Sequence, residues 1–308
     1  MESESKTAVI AALAGNVALA ALKGVAAAFT GSAAMLAETF HSLADTGNQV
    51  LLFLGMRIGQ RPPDRQHPFG YGRAVYFWGF VVSVMLFSLG GAFSIWEGVR
   101  KTLHPSAPEG SAAWAYGVLA GGFFFEAVSL VISVNALRRI KGRLTLRQYW
   151  IENRDSTLPT VVLEDSAAIV SLGLAGGGIW LSRHTGSPLW DAGASAAIGL
   201  LLIAVAALLA AENYSLLIGE PAPRRIEAAI HRLVTADSAV DQLVDLRTMH
   251  IGPRQIVVAL GIHFDHALSV QEIEKAIRRL EDGITRLLGD RTSAALVTIE
   301  PTRPRRSR

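Results

Sequence analysis

Six apolar runs, each near the roughly 20 residues that an α-helix needs to cross a hydrocarbon layer, occupy the first two-thirds of the chain. They cover about Ala8 to Phe29, Ala33 to Ile58, Ala74 to Val99, Ala112 to Leu137, Pro159 to Leu181 and Trp190 to Leu209. Only 18% of the 308 residues are charged, against about 25% in soluble domains. The deficit sits in the runs. Residues 8–212 hold the long apolar runs, whereas residues 213–308 alternate charged and apolar positions as a soluble domain does. The expected boundary therefore divides residues 1–212 from residues 213–308.

Basic residues set the expected orientation. The link between runs two and three carries Arg57, Arg61, Arg65 and Arg73, and the link between runs four and five carries Arg138, Arg139, Lys141, Arg143, Arg147 and Arg154. The other face has only Arg100, Lys101 and Arg183. Positive charge stays on the cytoplasmic side, so both chain ends and both arginine-rich links are expected there. The net charge of +3 then needs no nucleic-acid partner. Cysteine is absent, which excludes disulfides and thiolate ligands. Met1 to Lys6 lacks the basic start of a signal peptide, so the first run is expected to remain as a span. With no organellar targeting segment visible, a bacterial plasma membrane is the expected location.

The second run carries Glu38-Thr39-Phe40-His41-Ser42-Leu43-Ala44-Asp45-Thr46-Gly47-Asn48, with no lysine or arginine between Lys23 and Arg57. His41 and Asp45 are one helical turn apart and share a face. Ionisable groups at membrane depth are costly and mark functional positions by default. Imidazole with carboxylate suits a borderline divalent metal such as zinc. The competing reading is a buried hydrogen-bonded pair that holds two helices together. Asn16 and Lys23 in the first run, Glu126 in the fourth and Glu164-Asp165 in the fifth are also polar. Lys23, Glu97 and Glu126 can be read as snorkelling side chains, the reading favoured for Glu97. Asp45 and Asp165 lie too deep for that.

Beyond Glu212, Arg224 to Leu233 reads as an amphipathic helix. Leu246 to Ile251 and Ile256 to Phe264 read as strands about a Gly252-Pro253 turn. Ser269 to Leu288 reads as a helix capped by Ser269, and Ala294 to Ile299 as a third strand. This α-β-β-α-β order predicts a small α+β domain, with helices layered on a three-stranded sheet. The tail from Thr302 to Arg308 is expected to be disordered.

Taken in order, several pieces resemble the cation diffusion facilitator family of divalent-metal/proton exchangers. They are Asn16 with Lys23, Gly31-Ser32, His41-x-x-x-Asp45, the loop from Pro62-Pro63-Asp64 through His67-Pro68-Phe69-Gly70-Tyr71-Gly72-Arg73, Glu97, Asp191 and Gly219-Glu220-Pro221. The Leu163-Glu164-Asp165-Ser166-Ala167-Ala168 string, with Asp45 to Gln49, is similar to the branch that includes zinc transporter nine. The resemblance implies six transmembrane helices as the transport domain and a cytoplasmic domain that dimerises. It also implies His41, Asp45 and Asp165 as metal ligands. The family's fifth helix usually brings a ligand pair one turn apart, but Val161 stands at the first position and cannot bind metal. The fourth ligand would be Glu164, Asn48 or water, with Glu164 ranked first. For Glu164 and Asp165 both to face the second helix, the fifth helix would have to rotate or unwind near Pro159, since neighbours on a helix differ by about 100°.

Asp64 and His67 match an auxiliary zinc position of some relatives, but Tyr71 replaces the third ligand, and a structural turn is the favoured reading. In the soluble domain, Glu272 to Glu274 and Thr298 to Glu300 stand where many relatives place zinc-binding histidines. His231, His250, His263 and His266 remain, so metal-independent dimerisation is expected. The function implied is a homodimeric secondary transporter that exports a divalent cation, zinc first, in exchange for protons. It is not an enzyme, and the metal is cargo rather than cofactor. An intramembrane metal-dependent hydrolase would need a pattern such as His-Glu-x-x-His, which is absent. A non-transporting membrane-anchored scaffold or metal-binding partner is the alternative.

Overall fold

The computed structural model describes residues 2–105, 112–141, 157–253, 255–289 and 293–302. Six long helices come first: α1 (Glu2–Thr30), α2 (Ala33–Gly59), α3 (Ala74–Leu103), α4 (Ala112–Lys141), α5 (Thr157–Thr185) and α6 (Leu189–Ile218). Helix α3 is π-helical over Leu86–Ala92. Each helix is longer than its apolar run, because helical hydrogen bonding continues through the polar turns that flank a span. Four helices, α3 to α6, have windows long and apolar enough to cross a membrane. Helix α2 has the length, but Glu38, His41 and Asp45 interrupt its apolar run. The chain is thus an α-helical, multi-pass membrane protein with a small α+β part at its C-terminal end. The arginine-rich link beyond Lys141 and the tail beyond Thr302 lie outside the described residues.

Two compact units can be distinguished among these residues. One takes in residues 2–55, 78–141 and 157–213, and the other residues 56–77 and 214–302. In the helical unit, small residues let backbones approach closely, the usual means of packing helices in lipid. A Cβ added at Gly199 of α6 would lie 2.7 Å from the Gly91 carbonyl of α3. One added at Gly98 would lie 2.7 Å from the Ala192 carbonyl. Ala26, Ala27, Ala34, Ala37 and Ala44 are buried in the same core, whereas Phe124, Ile132, Leu200 and Leu208 face outward. That outward apolar coat suits lipid.

Helix α2 is fastened at its start by a distant residue. The Asp191 carboxylate at the head of α6 accepts hydrogen bonds from Ser32 Oγ (2.5 Å) and from the Ala33 and Ala34 amides (2.7 and 3.4 Å). It also accepts one from Lys101 Nζ at 3.0 Å. A carboxylate here satisfies amides left free by the first turn and complements the helix dipole. Gly31, at φ +60°, makes the sharp turn between α1 and α2.

The second unit contains α7 (Arg224–Thr235), β1 (Val240–Gly252), β2 (Gln255–Phe264), α8 (Val270–Leu288) and β3 (Ser293–Pro301). The sheet order is β1-β2-β3, with β1 antiparallel and β3 parallel to β2. A parallel neighbour needs a crossover, and α8 supplies it. Alternate residues of β2, Ile256, Val258, Leu260, Ile262 and Phe264, are buried against Ile230 and Val234 of α7 and Ala276, Leu280 and Ile284 of α8. The α-β-β-α-β order matches the sequence pattern, although β1 begins six residues before the expected Leu246. The early part, Val240-Asp241-Gln242, carries two polar residues and so hides its strand character. Ser269 caps α8 as expected: its hydroxyl accepts from the Glu272 amide, and the Glu272 carboxylate accepts from the Ser269 amide.

Asp237, just past α7, accepts two hydrogen bonds from the Arg279 guanidinium at 2.8 and 2.7 Å. These bonds hold its carboxyl below the usual aspartate range. A group whose pKa falls on folding stabilises the native state above its unfolded value, about 3.9, and loses that contribution as pH falls through the folded value. Arg279 is largely exposed, so the pair is worth about 1 kcal/mol at most. Arg279→Ala is expected to lower stability by that amount at pH 7 and to change nothing near pH 2. Hydrogen exchange of α8 amides across that range measures it, and an equal loss at both pH values would rule the ion pair out.

Candidate metal centre

Helix α2 turns a polar stripe inward. Glu38, His41, Ser42 and Asn48 are all buried, while Leu43 and Val50 on the far side are exposed. His41 is held at both nitrogens. Its Nδ1 lies 3.2 Å from Ser171 Oγ on α5, and its Nε2 lies 3.2 Å from Asp45 Oδ2. Ser171 donates its own proton to the Ala168 carbonyl (2.9 Å), which leaves its oxygen to accept from Nδ1–H. With Nδ1 turned to Ser171, Nε2 is the ring atom that faces the Asp45 carboxylate. A proton or a cation held between Nε2 and the carboxylate satisfies both atoms.

The other candidate ligands stand on α5. Glu164 Oε1 accepts from Asn48 Nδ2 across the α2–α5 contact at 3.0 Å. Asp165 Oδ2 accepts from Ser129 Oγ and Ser133 Oγ of α4, each at 3.0 Å. The rotation or unwinding near Pro159 is not present, for α5 is helical from Thr157 onward. The reason is geometric. With Asn48 on one neighbouring helix and two serines on another, a regular helix satisfies both carboxylates in their natural directions, so distortion brings no gain.

Asp45, Glu164 and Asp165 nevertheless line one cavity of about 410 Å³, together with Asn16, Gln49, Glu126, Ser129 and Val161. A water occupies about 30 Å³ in the liquid, so the space accommodates a partly hydrated cation. Four carboxylates on one cavity repel one another unless protons or a cation intervene. Asp45 Oδ1 and Asn48 Oδ1 are buried without a hydrogen-bond partner among the described residues. No three His, Asp or Glu side chains among those residues converge at metal-ligand spacing. His41 with Asp45, Glu164 with Asn48, and Asp165 with its serines form separate groups around the shared space.

Several polar residues behave differently from expectation. Lys23 does not snorkel. It is 1% exposed, and its ammonium contacts Glu38 Oε2 (2.8 Å) and Ser42 Oγ (2.7 Å). Glu97 is buried too, its carboxylate held by the Arg100 guanidinium one turn later, and it is the arginine that reaches outward. Pairing within one helix costs less than stretching a short glutamate stem to the interface. Glu126 lines the cavity. Glu38, Ser129, Ser133 and Ser171 were not singled out from the sequence. The i, i+4 spacing of Ser129 and Ser133, in a helix rich in phenylalanine, was a readable signal.

In the loop after α2, the Asp64 carboxylate is used by the turn itself. It accepts from the Gln66 and His67 amides (2.9 and 2.7 Å) and from the Tyr71 hydroxyl (2.6 Å). The Tyr71 bond is the main reason its carboxyl lies below the usual range. The favoured structural-turn reading agrees with this geometry. In the second unit His263 and His266 meet edge to face at 4.8 Å, while His250 is buried.

Residues 9–218 match the model of the Cation efflux transmembrane domain. Over 240 residues the chain is 36% identical to the mitochondrial proton-coupled zinc antiporter SLC30A9 of Xenopus laevis, covering 77% of this chain and 43% of that one. It is 32% identical over 282 residues to metal tolerance protein C4 of Arabidopsis thaliana, covering 91% and 62% respectively. Against the magnetosome protein MamM of Magnetospirillum gryphiswaldense it is 31% identical over 130 residues, 40% of this chain and 41% of that one. The chain thus spans under two-thirds of the length of these relatives. Because the matched segment takes in most of α1, the whole of the five long helices after it and every residue of the cavity, the chain belongs to the cation efflux family.

Proposed function

We propose that the chain is a secondary transporter that exports a divalent cation from the cytoplasm, zinc first, in exchange for protons. The observation that carries this reading is the cavity inside the helical unit. Asp45 from α2 and Glu164 and Asp165 from α5 line it, and His41 touches Asp45. Relatives named as a proton-coupled zinc antiporter and a metal tolerance protein support the same direction. The metal is cargo; no cofactor and no enzymatic step belong to the reading. Assembly as a homodimer through the second unit, without metal, is part of it, as are cytoplasmic chain ends.

His41, Asp45, Glu164 and Asp165 are the proposed ligands. To bind together, Asp165 has to turn from Ser129 and Ser133 toward the cavity, and Glu164 has to share its carboxylate with Asn48. Coupling follows from the donor chemistry. Imidazole and carboxylate must be deprotonated to ligate, so protons arriving from the far side compete with the cation and release it. Alternating exposure of the site to the two sides then makes the competition a transport cycle.

Nitrogen among the donors favours zinc over manganese, whereas an all-oxygen set suits manganese better. His41→Asp is therefore expected to raise manganese flux relative to zinc flux at least several-fold in reconstituted vesicles. An unchanged ratio would remove the imidazole from the ligand set.

A further inference from the structure

We infer that Asn48 is a further metal-binding residue of this chain, its side-chain oxygen giving a divalent cation a neutral donor on α2. The inference rests on the transport reading above and adds a member to its ligand set. His41, Asp45 and Asn48 follow one another at i, i+4 and i+7, which places all three on one face of α2. Asn48 is only 1% exposed. Its Nδ2 donates to Glu164 Oε1 at 3.0 Å, which fixes the orientation of the amide and leaves Oδ1 as the other polar atom. That oxygen has no hydrogen-bond partner among the described residues, and neither has Asp45 Oδ1 one turn earlier.

A buried carbonyl oxygen without a donor is unfavourable and calls for a reason. One such atom could be a packing compromise. Two oxygens one turn apart, beside an imidazole whose Nε2 faces the same carboxylate, are what a single cation satisfies together. On the α5 side of the cavity the residue one turn before Asp165 is Val161, a hydrocarbon that offers no donor. Asn48 offers its oxygen from the opposite helix. Because an amide oxygen carries no charge and does not titrate in the working range, it adds a ligand without adding a proton to exchange. Its hydrogen bond to Glu164 also ties the two helices to the occupancy of one site.

The test uses the purified full-length protein in detergent. Zinc binding is measured by competition with a chromophoric chelator, and cobalt(II) is added as a spectroscopic probe. Asn48→Leu keeps the size and removes both polar atoms; we expect zinc affinity to fall about tenfold or more, the scale on which groups around a metal act, with a changed cobalt absorption band. Asn48→Asp keeps an oxygen at the same place but loses the donor to Glu164; we expect affinity within about threefold of wild type, well short of that loss. If Asn48→Leu does not fold, Asn48→Ala replaces it in the same comparison. Equal weakening by the apolar and the aspartate variants would assign Asn48 to holding Glu164 and overturn the inference. So would Asn48→Leu binding as wild type does while Asp45→Ala loses zinc, and this outcome leaves the transport reading standing. No zinc bound by the wild type would overturn both.

Discussion

Asp45→Ala and Asp165→Ala are each expected to reduce zinc flux in reconstituted vesicles to the protein-free background, a loss on the order of 100-fold or more for a direct ligand. Assembly of the protein should be unaffected. The two carboxylates approach the cavity from α2 and α5, so neither can substitute for the other. Removing Asp45 also frees His41 Nε2, which lies 3.2 Å from its carboxylate. Removing Asp165 releases only two serine hydroxyls; Ser133 already bonds the Leu130 carbonyl of its own helix, and a helical serine such as Ser129 can turn to do the same. Neither change should therefore unfold the bundle. Flux comparable to wild type in either variant, with unchanged molecular mass in solution, would take that residue out of the site.

The second large effect concerns stability. Lys23 and Glu38 form an ion pair at 2.8 Å with side chains 2% and 1% exposed. Removing one partner of a buried pair strands the other charge, at a cost of about 3–5 kcal/mol. We expect Lys23→Met to lower stability by that amount and the double variant Lys23→Met with Glu38→Met to recover most of it, since two apolar side chains of similar volume need no compensation. Salt should hardly alter either result, because buried pairs are weakly screened. Denaturation in detergent measures the cycle. A double variant as unstable as the single one would mean that packing or the Lys23–Ser42 contact dominates.

Much of the architecture was legible because its physics is local. Run lengths located the helices, alternation located β2, and Ser269 with Glu272 announced the start of α8. The polar stripe of α2 was legible for the same reason, since helical spacing places His41 and Asp45 on one face. What remained hidden depends on partners distant in sequence. Lys23 reads as a snorkelling side chain until Glu38, 15 residues later, is brought against it. Asp191 reads as the start of one helix, yet it caps another about 158 residues earlier. The directions of Glu164 and Asp165 were set by Asn48, Ser129 and Ser133, and no spacing rule on α5 alone contains them.

The central claim, that protons and a divalent cation compete for one cavity between α2 and α5, is tested most directly in proteoliposomes loaded with a zinc-sensitive dye. Zinc entry is followed with and without an imposed pH gradient, for the wild type and for Asp45→Ala. We predict zinc movement in the wild type that speeds up when the gradient drives protons the opposite way, slows when the gradient is reversed, and disappears in Asp45→Ala. Wild-type vesicles that admit no more zinc than empty ones under either gradient would contradict the claim and favour a membrane-anchored binding partner.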